Sequence, residues 1–225
     1  MECCRIYKVK KLISFLATGI FPDKTTYPLD ETMVHNGPPH YSNEGYAYAK
    51  RMIDVLNRCY HEEYGCNFTS LVPTNIFGPN DNYHLESAHV IPALIHKCYI
   101  ALRDGTPFTV LGSGKPLRQF TYSVDLGALI TWALFNYKDI NPLILSVDEK
   151  DEISIGDAAR MVATAMGYPL EKMVYDTSYA DGQFRKTASN KKLRSLYPDF
   201  KFTDMQTAIK ASCDWFVAHY DEARK

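Results

Sequence analysis

The sequence has almost no net charge. Lys and Arg number 25 against 26 Asp and Glu, a formal net charge of -1 over 225 residues. No global positive field is available to gather phosphate backbones, so nucleic acid is not an expected partner. The six cysteines, at 3, 4, 59, 66, 98 and 213, form no C-x-x-C pair and have no metal-type spacing with histidine. That argues against a zinc module and against a disulfide framework, so no metal is expected. Scattered thiols in a chain this long point to a reducing compartment, the cytosol by default. No apolar run approaches the roughly 18–20 residues of a membrane span, so no membrane is expected either. Internal repeats and low-complexity tracts are absent. So is a G-x-x-G-x-x-G run after an early strand, and no dinucleotide-phosphate cradle can be assigned. Gly112-Ser113-Gly114 is too short and too late to serve as one. What remains, 46% hydrophobic and 23% charged residues, suffices to bury a core in one large domain or two small ones.

One segment imitates a secretory leader. Lys8, Lys10 and Lys11 precede the apolar stretch 12–21. No small-x-small cleavage site follows, and Phe21-Pro22 enters a polar loop, so the reading is a short buried strand over 12–18. A turn-rich loop, 22–43, leads to a helix over 44–64 with Met52, Val55, Leu56 and Cys59 at helical spacing and Gly65 as the stop. Strands are expected at 67–73, 108–111, 119–122, 143–147 and 173–175. Helices are expected at 88–103, with Pro92 in the first turn, at 124–137 with Ser123 as N-cap, and at 154–166. Thr203-x-x-Gln206 reads as a capping box opening a last helix that ends near Tyr220. Strands alternating with helices imply an α/β architecture with a mostly parallel sheet.

The strongest local signal for chemistry is Tyr46-x-x-x-Lys50. Residues i and i+4 share a helix face, and an ammonium beside a phenol favours the phenolate, which suits Tyr46 to acid/base work. The bland alternative is an exposed helix with a chance Tyr and Lys. Pro73-Thr-Asn-Ile-Phe-Gly-Pro79 lies at a strand's C-terminal end, where α/β sheets hold ligands, or is simply a turn. His89 opens a helix and is suited to polarise a substrate, although a lone histidine is more often structural. Lys115, Arg118 and the 181–186 run offer cations and a carboxylate for a phosphate and a sugar hydroxyl, unless they are solvated surface charge.

Taken together, these residues resemble the GDP-L-fucose synthases of the extended short-chain dehydrogenase group. The matching pieces are 20–28 (IFPDKTTYP), 36–39 (NGPP), Tyr46-x-x-x-Lys50, 73–82 (PTNIFGPNDN), 89–92 (HVIP) and 181–189 (DGQFRKTAS). The resemblance implies a partial Rossmann sheet binding NADP, built from 1–78 and rejoined at about 119–148. A smaller GDP-sugar-binding domain would comprise 79–118 and 149–225. It implies NADPH-dependent 3,5-epimerisation and 4-reduction of GDP-4-keto-6-deoxy-D-mannose. Both epimerised carbons flank the ketone, so deprotonation passes through an enolate that an acid/base pair can manage. Tyr46 would protonate the C4 oxygen, Lys50 would tune it and bind the nicotinamide ribose, and His89 would be one epimerisation acid/base. Pro73, Thr74, Asn75, Ile76 and His89 would contact the cofactor, and Lys97, Leu111, Arg118 and Asp181 the substrate. A homodimer is implied.

The departures are specific. The family pattern has serine and cysteine where this chain has Ala17 and Gly19, and a tryptophan where it has Leu111. The family's glycine-rich first βαβ units fall before Met1. Three readings follow: an enzyme of this family, a catalytically impaired paralogue that binds a GDP-sugar or regulates a partner, and a shortened form of a complete enzyme.

Overall fold

Left-handed glycines at 65, 105 and 167 end three of the seven α-helices. The computed structural model describes residues 1–225. Along the chain, α1 (Glu2–Ile6) leads into β1 (Leu12–Phe15), a 3-10 turn at Thr18–Ile20, and the long α2 (Glu44–Tyr64). Next come β2 (Phe68–Pro73), β3 (Asn75–Phe77), α3 (Val90–Asp104), β4 (Phe108–Leu111), β5 (Leu117–Arg118), β6 (Phe120–Tyr122) and α4 (Ser123–Asn136). Then follow β7 (Leu143–Leu145), β8 (Ile153–Ser154), α5 (Ile155–Met166), β9 (Met173–Asp176), α6 (Lys191–Leu196) and α7 (Met205–Ala218). The architecture is the expected α/β type. No helix is long and apolar enough to cross a membrane.

The chain divides into two compact units. The first comprises Met1–Thr74, Leu126–Glu149 and Thr187–Phe200. Its sheet has the order β1-β2-β7 with all strands parallel. β2 is the middle strand and is buried along its whole length, its polar Thr69 and Ser70 included. α2 packs on β2, where Asn57 Nδ2 donates to Ser70 Oγ at 2.8 Å. It stops at Gly65, whose φ of 68° is left-handed. The leader-like stretch is β1, and Lys11 Nζ donates to Ala133 O at 2.6 Å near the C-terminal end of α4, a favourable place for a cation.

The second unit comprises Asn75–Asp125, Lys150–Lys186 and Lys201–Lys225. It pairs β3 with β6 and β4 with β9 in parallel, and β5 with β8 antiparallel. α3, α5 and α7 pack around a core that includes Phe77, Tyr83, Ile91, Phe108, Val162 and Phe216.

Several expectations are corrected. Thr187–Phe200 belongs to the first unit, not to the second. Leu29 and Ala188 form a parallel bridge, and Asn190 Nδ2 (2.6 Å) and Arg194 Nε (2.8 Å) donate to Asp148 Oδ1. β1 ends at Phe15, because the chain turns at Thr18–Ile20 before the apolar run is over. Ser123 is the first helical residue of α4 rather than its N-cap. The last helix is capped by Asp204, which accepts from Thr207 N at 3.0 Å. Thr203 instead donates twice to Asp125, and Gln206 donates to Met161 O, so no capping box forms there. The capping box lies at α5, between Ser154 and Asp157. The short β3, β5, β8 and α6 carry too few residues for a period to show.

Candidate active site

In the first unit, α2 presents two faces of opposite use. Tyr46 is 47% exposed, and the Lys50 ammonium lies 5.8 Å from its ring centroid. Lys50 also donates to the Phe15 carbonyl at 2.8 Å, so the end of β1 fixes the lysine. The next residue, Arg51, is buried. Its Nε donates to Ile20 O and its Nη1 to Gly37 O, both at 2.7 Å. Burial pushes its guanidinium pKa down, and the two carbonyls partly replace the lost water. Lys50 and Arg51 thus grip both ends of the segment that carries positions 17 and 19. Ala17 is extended and precedes the 3-10 turn, and Gly19 lies within it. A Cβ at Gly19 would stand 2.8 Å from Asn43 Nδ2. The carboxamide of Asn43 therefore lies against the space that a longer side chain at 19 would enter.

Pro73 ends β2, and Thr74 N donates to Leu145 O at 3.3 Å. Both side chains are buried. In the second unit, Asn75 donates to Gln119 O from its backbone (3.2 Å) and from Nδ2 (3.0 Å), and Ile76 pairs with Thr121. His89 is exposed at the N-cap of α3, and its ring makes no capping bond. The Asp81 carboxyl is pushed up by burial, which the Asn82 N–H at 2.7 Å, His89 and Arg224 partly offset.

The structure brings Lys97, Leu111, Arg118 and Asp181 together around one cleft of about 200 Å³ in the second unit. Lys97 comes from α3, and burial lowers its ammonium pKa. Arg118 donates to Leu117 O and Gln183 O at 2.7 Å each, so its guanidinium braces the 181–184 backbone. Leu111 is 43% exposed on the rim. The exposed Asp181 accepts from Ser113 N at Oδ1 and from Ser113 Oγ at Oδ2, both at 2.6 Å. Those bonds, with Lys115 near by, hold its carboxyl below the usual range. Sequence reasoning missed Ser113 and Arg51. The glycines flanking Ser113 signal a turn, but nothing local says what the turn holds.

Residues 1–147 match the model of the NAD dependent epimerase/dehydratase family. A GDP-L-fucose synthase of Dictyostelium discoideum is 62% identical over 225 residues, which cover 100% of this chain and 70% of the relative. The chain belongs to the GDP-L-fucose synthase family. A probable GDP-L-fucose synthase of Drosophila melanogaster is 54% identical, over 96% of this chain and 69% of its own length. A solved GDP-L-fucose synthetase of Naegleria fowleri bound to NADP superposes with a TM-score of 0.97 at 50% identity. The match covers 100% of this chain and 71% of that one.

Membership in this family makes the dinucleotide the group to test against the residues present. An accessible phenol with an ammonium on the same helix face, beside the end of a parallel strand, suits the nicotinamide ribose. The pyrophosphate has no counterpart here. Gly65, Gly105 and Gly167 are helix stops, and the turn at Gly112 and Gly114 already holds the Asp181 carboxylate. The residues fit the nicotinamide end of the cofactor.

Proposed function

We propose that this chain acts on GDP-4-keto-6-deoxy-D-mannose in the manner of a GDP-L-fucose synthase, with its epimerisation step weakened. The observation that carries the reading is the 62% identity with the Dictyostelium discoideum synthase over the full chain. The Tyr46–Lys50 face of α2 supports it. NADPH, when bound, supplies the hydride that reduces the C4 ketone. Tyr46 gives its phenolic proton to the C4 oxygen, and Lys50, held by the Phe15 carbonyl, binds the nicotinamide ribose. Pro73, Thr74, Asn75 and Ile76 flank the cofactor. His89, exposed and not tied up as a cap, exchanges the proton at C3 or C5. Lys97 and Arg118 meet the diphosphate, Leu111 the nucleoside and Asp181 the sugar hydroxyls.

Two positions argue for the weakened step. Alanine at 17 donates no hydrogen bond to the ketone oxygen, and glycine at 19 moves no proton. Loss of one acid/base group typically forfeits ~10²–10⁴ in rate. The same two residues favour a second reading, a paralogue that binds the GDP-sugar without turning it over. The exposed Tyr48, Met52 and Leu56, spaced one turn apart on α2, suit a homodimer, and six unpaired cysteines suit the cytosol. Incubation of the chain with NADPH and the keto-sugar in D₂O, read by mass spectrometry, separates exchange at C3 and C5 from reduction at C4. Slow exchange with measurable reduction supports the enzyme reading. Binding of the GDP-sugar with neither step supports the paralogue.

A further inference from the structure

We infer that Ser113 is a positioning residue that holds the Asp181 carboxylate at the rim of the cleft so that it meets the sugar hydroxyls of a nucleotide sugar. The inference rests on the GDP-sugar reading of that cleft and adds the residue that prepares it. An exposed aspartate ordinarily samples several rotamers and pays entropy when a ligand fixes it. Asp181 is exposed, yet both of its oxygens are taken by one residue, through the N–H and the hydroxyl of Ser113 at 2.6 Å each. Each oxygen keeps a further lone pair for a ligand hydroxyl.

The turn is shaped for this approach. Gly112 (φ 85°) and Gly114 (φ 72°) are both left-handed, and a Cβ at 112 would come within 2.6 Å of Asp181 Oδ1. Only glycine lets the carboxylate in so close. The mount is also fixed from behind. Gly112 N donates to Asp176 O, and Gly156 N donates to Gly114 O, both at 2.8 Å. Beyond Asp181, the strap is pinned by Arg118 on Gln183 O at 2.7 Å and by Leu117 N on Phe184 O at 2.9 Å. Ser113 is thus the one contact in this assembly that fixes the carboxylate itself rather than the backbone.

Calorimetric titration of this chain with GDP-mannose and with GDP tests the assignment. Ser113→Ala should weaken GDP-mannose roughly three- to tenfold, the cost of ordering one side chain at binding, and leave GDP within about twofold. Ser113→Thr keeps both donors and should restore affinity. Asp181→Ala should weaken GDP-mannose at least as much, and the double variant no more than Asp181→Ala alone. GDP-mannose affinity unchanged or raised by Ser113→Ala overturns the inference. So do equal losses for both ligands, which would make Ser113 a general support of the loop. Wild-type binding of GDP-mannose that Asp181→Ala leaves intact overturns it too, while the GDP-sugar reading stands. Failure of the wild-type chain to bind either ligand removes that reading and the inference with it.

Discussion

Gly19→Cys should raise solvent exchange at the carbons flanking the ketone without unfolding the protein. The added Cβ would sit 2.8 Å from Asn43 Nδ2, closer than real contacts allow, so something must move. The atom in the way is the end of a rotatable side chain, and Asn43 does not cap α2 with it. Displacing that amide costs on the order of 0.5–1 kcal/mol in rotamer energy. Gly19 is not among the glycines with positive φ, so a side chain there brings no backbone strain. Removing a glycine also stiffens the unfolded chain by about 0.4–1 kcal/mol, which offsets the displacement. The two effects nearly cancel, and the melting temperature should stay within about 3 °C.

The gain on the chemical side is larger. A positioned acid/base group contributes typically 10²–10⁴-fold, or about 3–5 kcal/mol of barrier. The chemical effect therefore dominates the packing effect. Mass spectrometry of the nucleotide sugar in D₂O should show deuterium at C3 and C5 appearing at least about a hundredfold faster in Gly19→Cys. Rapid exchange by the unmodified chain would refute the role given to position 19. No gain from Gly19→Cys, even with Asn43→Ala clearing the space, would refute the idea that this turn faces the sugar.

Arg51→Met should destabilise the protein by about 2–4 kcal/mol, since the Ile20 and Gly37 carbonyls lose their buried donors; a shift below about 0.5 kcal/mol in urea unfolding would contradict the grip assigned to it. Glu31 has its carboxyl pushed up, first by burial and against its bond from Ile144 N at 2.9 Å. A raised carboxyl binds its proton more tightly when folded, so its contribution to stability is full at low pH and is lost as pH rises through the folded value. Glu31→Gln should therefore match wild type at acid pH and exceed it near pH 7, and a constant or reversed difference across thermal melts from pH 4 to 7 would contradict the assignment. This chain should bind NADPH only weakly, with a Kd above about 100 μM, because no glycine turn here cradles a pyrophosphate; low-micromolar binding by nicotinamide fluorescence would show another anchor.

How much of this was legible in the sequence depended on the range of the forces involved. α2 was readable end to end, because its apolar spacing and the left-handed Gly65 are local. β2 was readable from Phe68, Leu71 and Val72, although the burial of Thr69 and Ser70 between them was not. The helix relation of Tyr46 to Lys50 follows from periodicity alone. The roles of Arg51 and Ser113 were not readable, and for one physical reason. Arg51 acts on carbonyls 31 and 14 residues away, and Ser113 on a carboxylate 68 residues away. Arg194 likewise draws 187–200 into the first unit through Asp148, 46 residues back. No helix or strand period links the partners of such a bond.

The misplaced capping box at Thr203 shows the same limit from the other side. Its spacing was correct for a cap, but the Asp125 carboxylate, 78 residues earlier, took both of its donors. A charged acceptor strengthens each bond roughly twofold over a neutral one, so the distant partner outcompetes the local motif. Local patterns therefore place Tyr46 and Lys50 on one face of α2, while the long-range bond from Lys50 to the Phe15 carbonyl ties that face to the end of β1. Within the first unit, Tyr46 and Lys50 stand beside a turn with glycine at 19, gripped from both ends by Lys50 and Arg51.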